Sequence, residues 1–164
     1  MTVISVIVTH NGSLWIDRCL ASIASSECIH KIVVVDNASS DDTLAVAGRF
    51  PKVECVALER NIGFGAANNL GMRRAIELEA DYVLLLNQDA WLAPGTLDNL
   101  VEIAQRSPEL GIVSPIHWRA DGSGLDSRFL YYLCNSAPTL FSDLLRNHVQ
   151  PVYTVEFVNA AIWL

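Results

Sequence analysis

VISVIVTHNGSLWIDRCLASIASSECIHKIVVVD, residues 3–36, decides the fold. Val3 to Thr9 is a short β-branched run, the composition of a buried strand. His10-Asn11-Gly12-Ser13 ends it, and Ser13 is placed to cap a helix. Ile16, Cys19, Leu20 and Ile23 follow at i, i+3, i+4 and i+7, so they share one helix face. Lys31 to Val35 is a second buried strand, stopped at Asp36. Strand, helix and strand in this order make a unit whose strands run parallel and whose crossover is right-handed.

Working outward, the same alternation continues. Asp36-Asn37-Ala38-Ser39-Ser40 is a cluster of turn formers. A short helix from about Asp42 to Arg49 is closed by Pro51. Val53 to Leu58 alternates and fits a third strand nearer an edge. The loop Glu59 to Phe64 leads into a helix with Ala67, Leu70, Gly71, Ala75 and Leu78 inward and Asn68 and Asn69 on its solvated face. Tyr82 to Leu86 is continuously apolar, as a strand covered on both faces should be. Thr96 to Arg106 is a helix with Leu97, Leu100, Val101 and Ala104 inward, and Gly111 to Trp118 reads as a fifth strand. Beyond Arg119 the pattern weakens. Asp121-Gly122-Ser123-Gly124 is a turn, Phe129 to Cys134 suits strand or helix, and Val152 to Val158 suits a strand. Four β–α units in a row specify an α/β chain built on a mostly parallel, doubly wound, Rossmann-like sheet flanked by helices.

Composition narrows the function. The 164 residues fit one domain, and 51% hydrophobic with 18% charged residues excludes a disordered chain. The net charge of −7 makes nucleic acid a poor partner, although backbone N–H groups and a metal ion still allow a small phosphorylated ligand. Neither the four cysteines nor the four histidines have zinc-site spacing. No run approaches the length of a membrane span, and Met1 leads directly into a strand without the basic flank of a secretion signal, so a cytoplasmic location is expected. The mean hydropathy of +0.30 is high for an acidic chain. The apolar stretch Phe157 to Leu164 implies either a docked last strand or an interrupted domain.

In a doubly wound sheet, ligands bind beyond the carboxyl ends of the strands, where the strand order reverses. With the order 3-2-1-4 that point lies between Thr9-His10-Asn11 and Asn87-Gln88-Asp89, with Asp36 beside them. The first β–α turn lacks G-x-G-x-x-G, which argues against a nicotinamide or flavin cofactor. There is no P-loop motif and no nucleophile elbow. What remains are carboxylates and amides at strand ends. A carboxylate there suits a hard cation whose shell a diphosphate completes, and equally a base N–H or a ribose hydroxyl. Asp36-Asn37 and Ser39 also serve as turn chemistry. His10 is better placed to meet a ligand through its backbone than to act as a base.

Val-Ile-Val-Thr-His-Asn (6–11), Ile-Val-Val-Val-Asp-Asn-Ala-Ser-Ser-Asp (32–41), Asn-Ile-Gly-Phe-Gly-Ala-Ala-Asn-Asn-Leu-Gly (61–71) and Leu-Leu-Leu-Asn-Gln-Asp-Ala (84–90) together resemble glycosyltransferase family 2, the GT-A-fold group of sugar-nucleotide transferases. The last two look most like its rhamnosyltransferase-type branch, whose members often build bacterial surface polysaccharides. The resemblance implies that Thr9 and Asn11 border the nucleotide base largely through backbone, beside His10. It gives Asp36 the base imino N–H, with Asn37 and Ser39 lining the same pocket and Arg60, Asn61 and Gly65 bordering the nucleotide. Asn87 and Asp89 take the Asp-x-Asp positions, with Asp89 as ligand to Mg²⁺ or Mn²⁺. Asn87 departs from the motif's first acid, which implies weak metal binding until the diphosphate arrives.

The resemblance further implies inverting transfer from a UDP- or dTDP-sugar to a saccharide or lipid-linked acceptor, at the inner face of the membrane. It divides the single domain into a nucleotide-binding core, 1–118, and the start of an acceptor region, 119–164. The family's general base follows a segment like Phe157 to Leu164 and is expected beyond Leu164; neither Asp121 nor Asp126 has a matching context. An apolar end of this kind suggests a homodimer. Two rivals stand beside this reading. One is a non-catalytic sugar-nucleotide-binding module or inactive fragment. The other is a nucleotidyltransferase, which would want a glycine- and basic-rich loop where His10-Asn11-Gly12-Ser13 stands.

Overall fold

The structure is a computed structural model and describes residues 1–157 and 160–164. Its elements are β1 (Val3–Thr9), α1 (Ile16–Ala24), β2 (Ile29–Asp36), α2 (Thr43–Ala47), β3 (Val53–Ala57), α3 (Phe64–Glu77), β4 (Tyr82–Leu86), α4 (Thr96–Arg106), α5 (Ser127–Ser136), α6 (Pro138–Leu145) and β5 (Ile162–Trp163). The sheet order is β3-β2-β1-β4-β5. The first four strands pair in parallel and β5 joins β4 antiparallel. The expected doubly wound α/β sheet and its 3-2-1-4 order are therefore present.

Alternation along β1 and β2 sorts side chains between two layers. Val3, Ile7, Ile32 and Val34 pack with Ile16, Leu20, Ile23, Val46, Leu97 and Leu100 from α1, α2 and α4. Ile4, Val6, Val8, Val33 and Val35 pack with Ala67 and Ala75 from α3. All seven residues of β1 are buried, which is why its sequence is apolar on both faces. Ser5 fits in this core because its hydroxyl donates to Leu84 O at 3.3 Å. Gly71 sets the depth of α3, since a Cβ there would stand 2.3 Å from Val6 Cγ1.

Several local expectations are corrected. Gly111 to Trp118 is not a strand: Val113 alone exchanges backbone bonds with Leu164, at 2.8 and 2.9 Å. The fifth strand is Ile162–Trp163, so the apolar end is docked and its edge of the sheet is occupied. Ile162 and Leu164 are buried, whereas Phe157 at the start of the apolar stretch is exposed. Ser13 does not cap α1; Trp15 N and Ile16 N both bond Gly12 O at 2.9 Å, so a turn precedes the helix. Asn68 is buried rather than solvated, and its Nδ2 donates to Phe64 O at 3.0 Å.

The chain divides into two compact units, Met1–Val113 with Ala161–Leu164, and Ser114–Ala160. In the second unit, the stretch around Phe129 is helical because Asp126 Oδ1 caps α5 by accepting from Arg128 N and Phe129 N, each at 2.9 Å. His117 stacks on Phe129 with ring centroids 4.5 Å apart. Residues 152–157 form no strand, and Val158 lies outside the described residues. Among the described residues, no helix is long and apolar enough to cross a membrane.

Candidate functional site

Parallel pairing brings the carboxyl ends of β1, β2 and β4 to one edge, with Thr9 opposite Asp36. The β1–β4 ladder stops at Val6 and Leu85. Past that point lies a cleft of about 260 Å³, lined by Val8, Thr9, His10, Asn37, Asn61, Phe64, Asn87, Gln88 and Asp89. That is near the lower end of the range of about 300–1,000 Å³ usual for small-ligand sites. It sits at the topological switch point.

Six of the expected residues line it: Thr9, His10, Asn37, Asn61, Asn87 and Asp89. The other expected residues frame or flank it. Asp36 is 1% exposed, and its two carboxylate oxygens accept from the Ser39 amide and hydroxyl. Asn11 adopts φ +48°, and its Oδ1 accepts from Ser40 N at 2.9 Å while its own N–H donates to Ser39 Oγ at 2.9 Å. These bonds tie the loop after β1 to the loop after β2. Asp41 strengthens the tie by accepting from Ser13 N and from the Thr43 N–H and hydroxyl, bonds that hold its carboxyl well below the ordinary range. Arg60 and Gly65 are exposed on either side of the turn that opens α3.

A pair of amides closes the next side of the frame. Asn37 is 3% exposed, and its Oδ1 accepts from Ile62 N at 2.8 Å. Its Nδ2 donates to Asn61, joining the β2 loop to the segment before α3.

On the far side, α1 holds the loop that carries Asn87 and Asp89. Cys19 Sγ donates to Asn87 O at 3.4 Å, and Ser22 Oγ accepts from Leu92 N at 3.2 Å. The Arg18 guanidinium stands 3.5 Å from the Trp91 ring centroid, close enough for a cation–π contact. Burial, and then the negative charge of Asp89, push the Cys19 thiol far up, so it stays protonated and serves as a donor. Asp89 itself is exposed at the cleft.

Three lining residues were not singled out in the sequence. Val8 belongs to the strand. Phe64 is half-exposed and offers an aromatic face; its only signal was an apolar residue opening a helix after a polar loop. Gln88 is the third, and its signal was weak: a glutamine where turn chemistry does not require one.

Among the described residues, no three His, Cys, Asp or Glu side chains gather closely enough to hold a metal by themselves. One carboxylate and one amide at an open cleft instead suit a cation of the Mg²⁺ type, which keeps waters and takes substrate phosphates as ligands. Among the described residues, the cleft's polar lining consists of Thr9, His10, three asparagines, Gln88 and Asp89. Amides, a hydroxyl and one carboxylate of this kind suit binding and charge stabilisation.

The family model for Glycosyl transferase family 2 matches residues 5–153. The chain belongs to Glycosyl transferase family 2. This family 2 chain is 30% identical over 128 residues to the N-acetylglucosaminyl-diphospho-decaprenol L-rhamnosyltransferase of Mycobacterium tuberculosis, covering 72% of the chain and 42% of that relative. It thus spans less than half the length of this curated relative. Among solved structures, it resembles the crystal structure of S. aureus TarS 1-349 in complex with UDP, with TM-score 0.65, 22% identity, and coverage of 79% of this chain and 39% of that one. It also resembles the mannosyltransferase PcManGT from Pyrobaculum calidifontis in complex with GDP-Man and Mn²⁺, with TM-score 0.63, 26% identity, and coverage of 70% and 35%. These likenesses place the family 2 sheet among GT-A folds.

Proposed function

We propose that this chain is the donor-binding part of an inverting glycosyltransferase that moves a sugar from a nucleoside diphosphate to an acceptor hydroxyl. The observation that carries this reading is the placement of Asn87 and Asp89 opposite Thr9 and His10 at the switch-point cleft. The relative named as an L-rhamnosyltransferase, the neighbour solved with UDP and the neighbour solved with GDP-Man and Mn²⁺ support it.

In this reading Thr9, His10 and Asn11 border the nucleoside, and Asn37, Ser39, Arg60, Asn61 and Gly65 complete its surroundings. Asp36 keeps acceptor capacity after its bonds to Ser39, because a carboxylate offers about four lone-pair sites. That capacity suits the imino N–H of a pyrimidine, hence UDP or dTDP. Asp89 would hold Mg²⁺ or Mn²⁺, with Asn87 as a weaker oxygen donor. Such an ion supplies charge stabilisation to the departing diphosphate. The chain's residues bind and orient the donor and fix the anomeric carbon for attack from its far face. Asp121 and Asp126 are not the acceptor's base in this reading, since Asp126 caps α5 and Asp121 Oδ1 holds a turn by accepting from Ser123 N. The rhamnosyl relative makes a lipid-linked saccharide acceptor and a role in bacterial surface polysaccharide synthesis the natural assignment. Work at the inner face of the membrane follows from such an acceptor.

Calorimetric titration of UDP and dTDP into the chain, with Mn²⁺ and with EDTA, tests the reading. Binding that tightens with Mn²⁺ is expected. No binding of either nucleotide under both conditions would overturn it.

A further inference from the structure

The middle residue of Asn87-Gln88-Asp89 is half-buried and reaches across the cleft to the end of β1. Gln88 Oε1 accepts from Thr9 Oγ1 at 2.6 Å and from His10 N at 3.1 Å, while its Nε2 lies 3.4 Å from His10 O. A backbone N–H can only donate, so His10 fixes which end of the Gln88 amide is the oxygen. The β1–β4 ladder has already ended at Val6 and Leu85, so these side-chain bonds join the two lips where the strands part.

Gly12 is cut to fit this contact. A Cβ on residue 12 would stand 2.2 Å from Gln88 Oε1 and 2.7 Å from Thr9 Oγ1. Any side chain there would expel the amide.

We infer that Gln88 is a positioning residue that couples the two lips of the cleft, so that ion and diphosphate at Asp89 and nucleoside at Thr9 and His10 strengthen each other's binding. This rests on the donor-site reading above. The physical basis is a shared constraint. Ordering the Asp89 loop around an ion and a diphosphate fixes the Gln88 backbone, and the side chain passes that order to Thr9 and His10. A ligand touching both lips then orders them once rather than twice. Coupling of this kind is reciprocal and reads out as a ratio of affinities.

The test measures UDP affinity for the 164-residue chain with Mn²⁺ and with EDTA, in wild type, Gln88→Ala, Gln88→Glu and Thr9→Val. In wild type, Mn²⁺ should tighten UDP binding by at least about fivefold, the lower range for coupled sites. In Gln88→Ala and Thr9→Val that ratio should fall below about twofold. Gln88→Glu keeps both acceptor bonds and should retain most of the ratio. Thr9→Val is nearly isosteric and carries the test if Gln88→Ala does not fold. A purely structural role would lower the melting temperature and weaken UDP equally with and without Mn²⁺, leaving the ratio intact. A wild-type ratio that survives in both Gln88→Ala and Thr9→Val overturns the coupling alone. A wild-type chain that binds UDP without responding to Mn²⁺ overturns the coupling and the metal role of Asp89 but not nucleotide binding, and one that binds neither UDP nor dTDP overturns the donor-site reading as well.

Discussion

Asn37 Nδ2 donates to Asn61 Oδ1 at 2.9 Å, and the same Asn61 oxygen accepts from Gly63 N at 2.9 Å. The two asparagines therefore form one unit in which each partner has a different exposure. Asn37 is buried and also serves Ile62 N, whereas Asn61 and Gly63 are open to water. Asn37→Ala should cost about 1–3 kcal/mol, because it strands a part-buried backbone donor. Asn61→Ala should cost less, since water replaces the lost partner at Gly63 and can reach Asn37 Nδ2 from the cleft that Asn37 lines. Urea unfolding of the two variants gives the order; equal losses would mean that the pair does not act as described.

Asp89→Ala should weaken nucleotide binding at least tenfold in Mn²⁺, about 1.4 kcal/mol, and much less in EDTA. Asn87→Asp should raise metal-dependent affinity by adding a second carboxylate. Titrations of the folded variants in both conditions decide it. An Asp89→Ala chain that keeps its Mn²⁺ response would remove the metal role from this residue.

A panel of UDP, dTDP, ADP and GDP examines the base-reading role proposed for Asp36. Saturating a specific site at about a hundred times Kd stabilises the folded chain by about 2.7 kcal/mol. UDP and dTDP should therefore raise the melting temperature clearly more than ADP and GDP. Asp36→Asn should narrow that difference. Four equal shifts would show that the pocket does not read the base through Asp36.

His117 sets a pH response in the second unit. Burial against Phe129 pushes its pKa below the ordinary value of 6.5, while the charge of Asp126 opposes this in part. As pH falls through about 6.5, the unfolded chain takes up a proton that the folded one refuses. Stability should therefore fall with pH from about 6.5 downward until the folded histidine also titrates. His117→Phe should flatten this part of the profile. Thermal unfolding followed between pH 7.5 and 5.5 is the measurement, and identical slopes in both chains would exclude His117 as the cause.

The central strands β1 and β2 were legible because both faces of the sheet are covered there, which forces apolar runs at Val3–Thr9 and Ile32–Val35, and β3 was legible by its alternation near an edge. The edge at β5 was not, because two residues, Ile162 and Trp163, carry no periodicity. Gly111 to Trp118 looked like a strand, yet Ile112 and Ile116 are exposed, and the stretch pairs only at isolated points, Val113 with Leu164 and Trp118 with Leu125. In the site, strand-end positions were readable from topology, so Thr9, Asp36, Asn87 and Asp89 could be named. Partnerships across the chain were not. The bonds of Gln88 to Thr9 and His10 span 79 and 78 positions, and no local spacing announces them. The engagement of Asp36 with Ser39, three residues on, is local and matches the turn chemistry the sequence offered.

The reciprocal backbone bonds of Val113 and Leu164 join the two ends of the excursion made by residues 114–160. Closing a loop costs entropy that grows only with the logarithm of its length, about 0.6 kcal/mol for each doubling. The stretch between these two residues is thus open to replacement by segments of quite different length at small thermodynamic cost to the sheet. The staple between Val113 and Leu164 marks a seam at which the chain can lengthen or shorten.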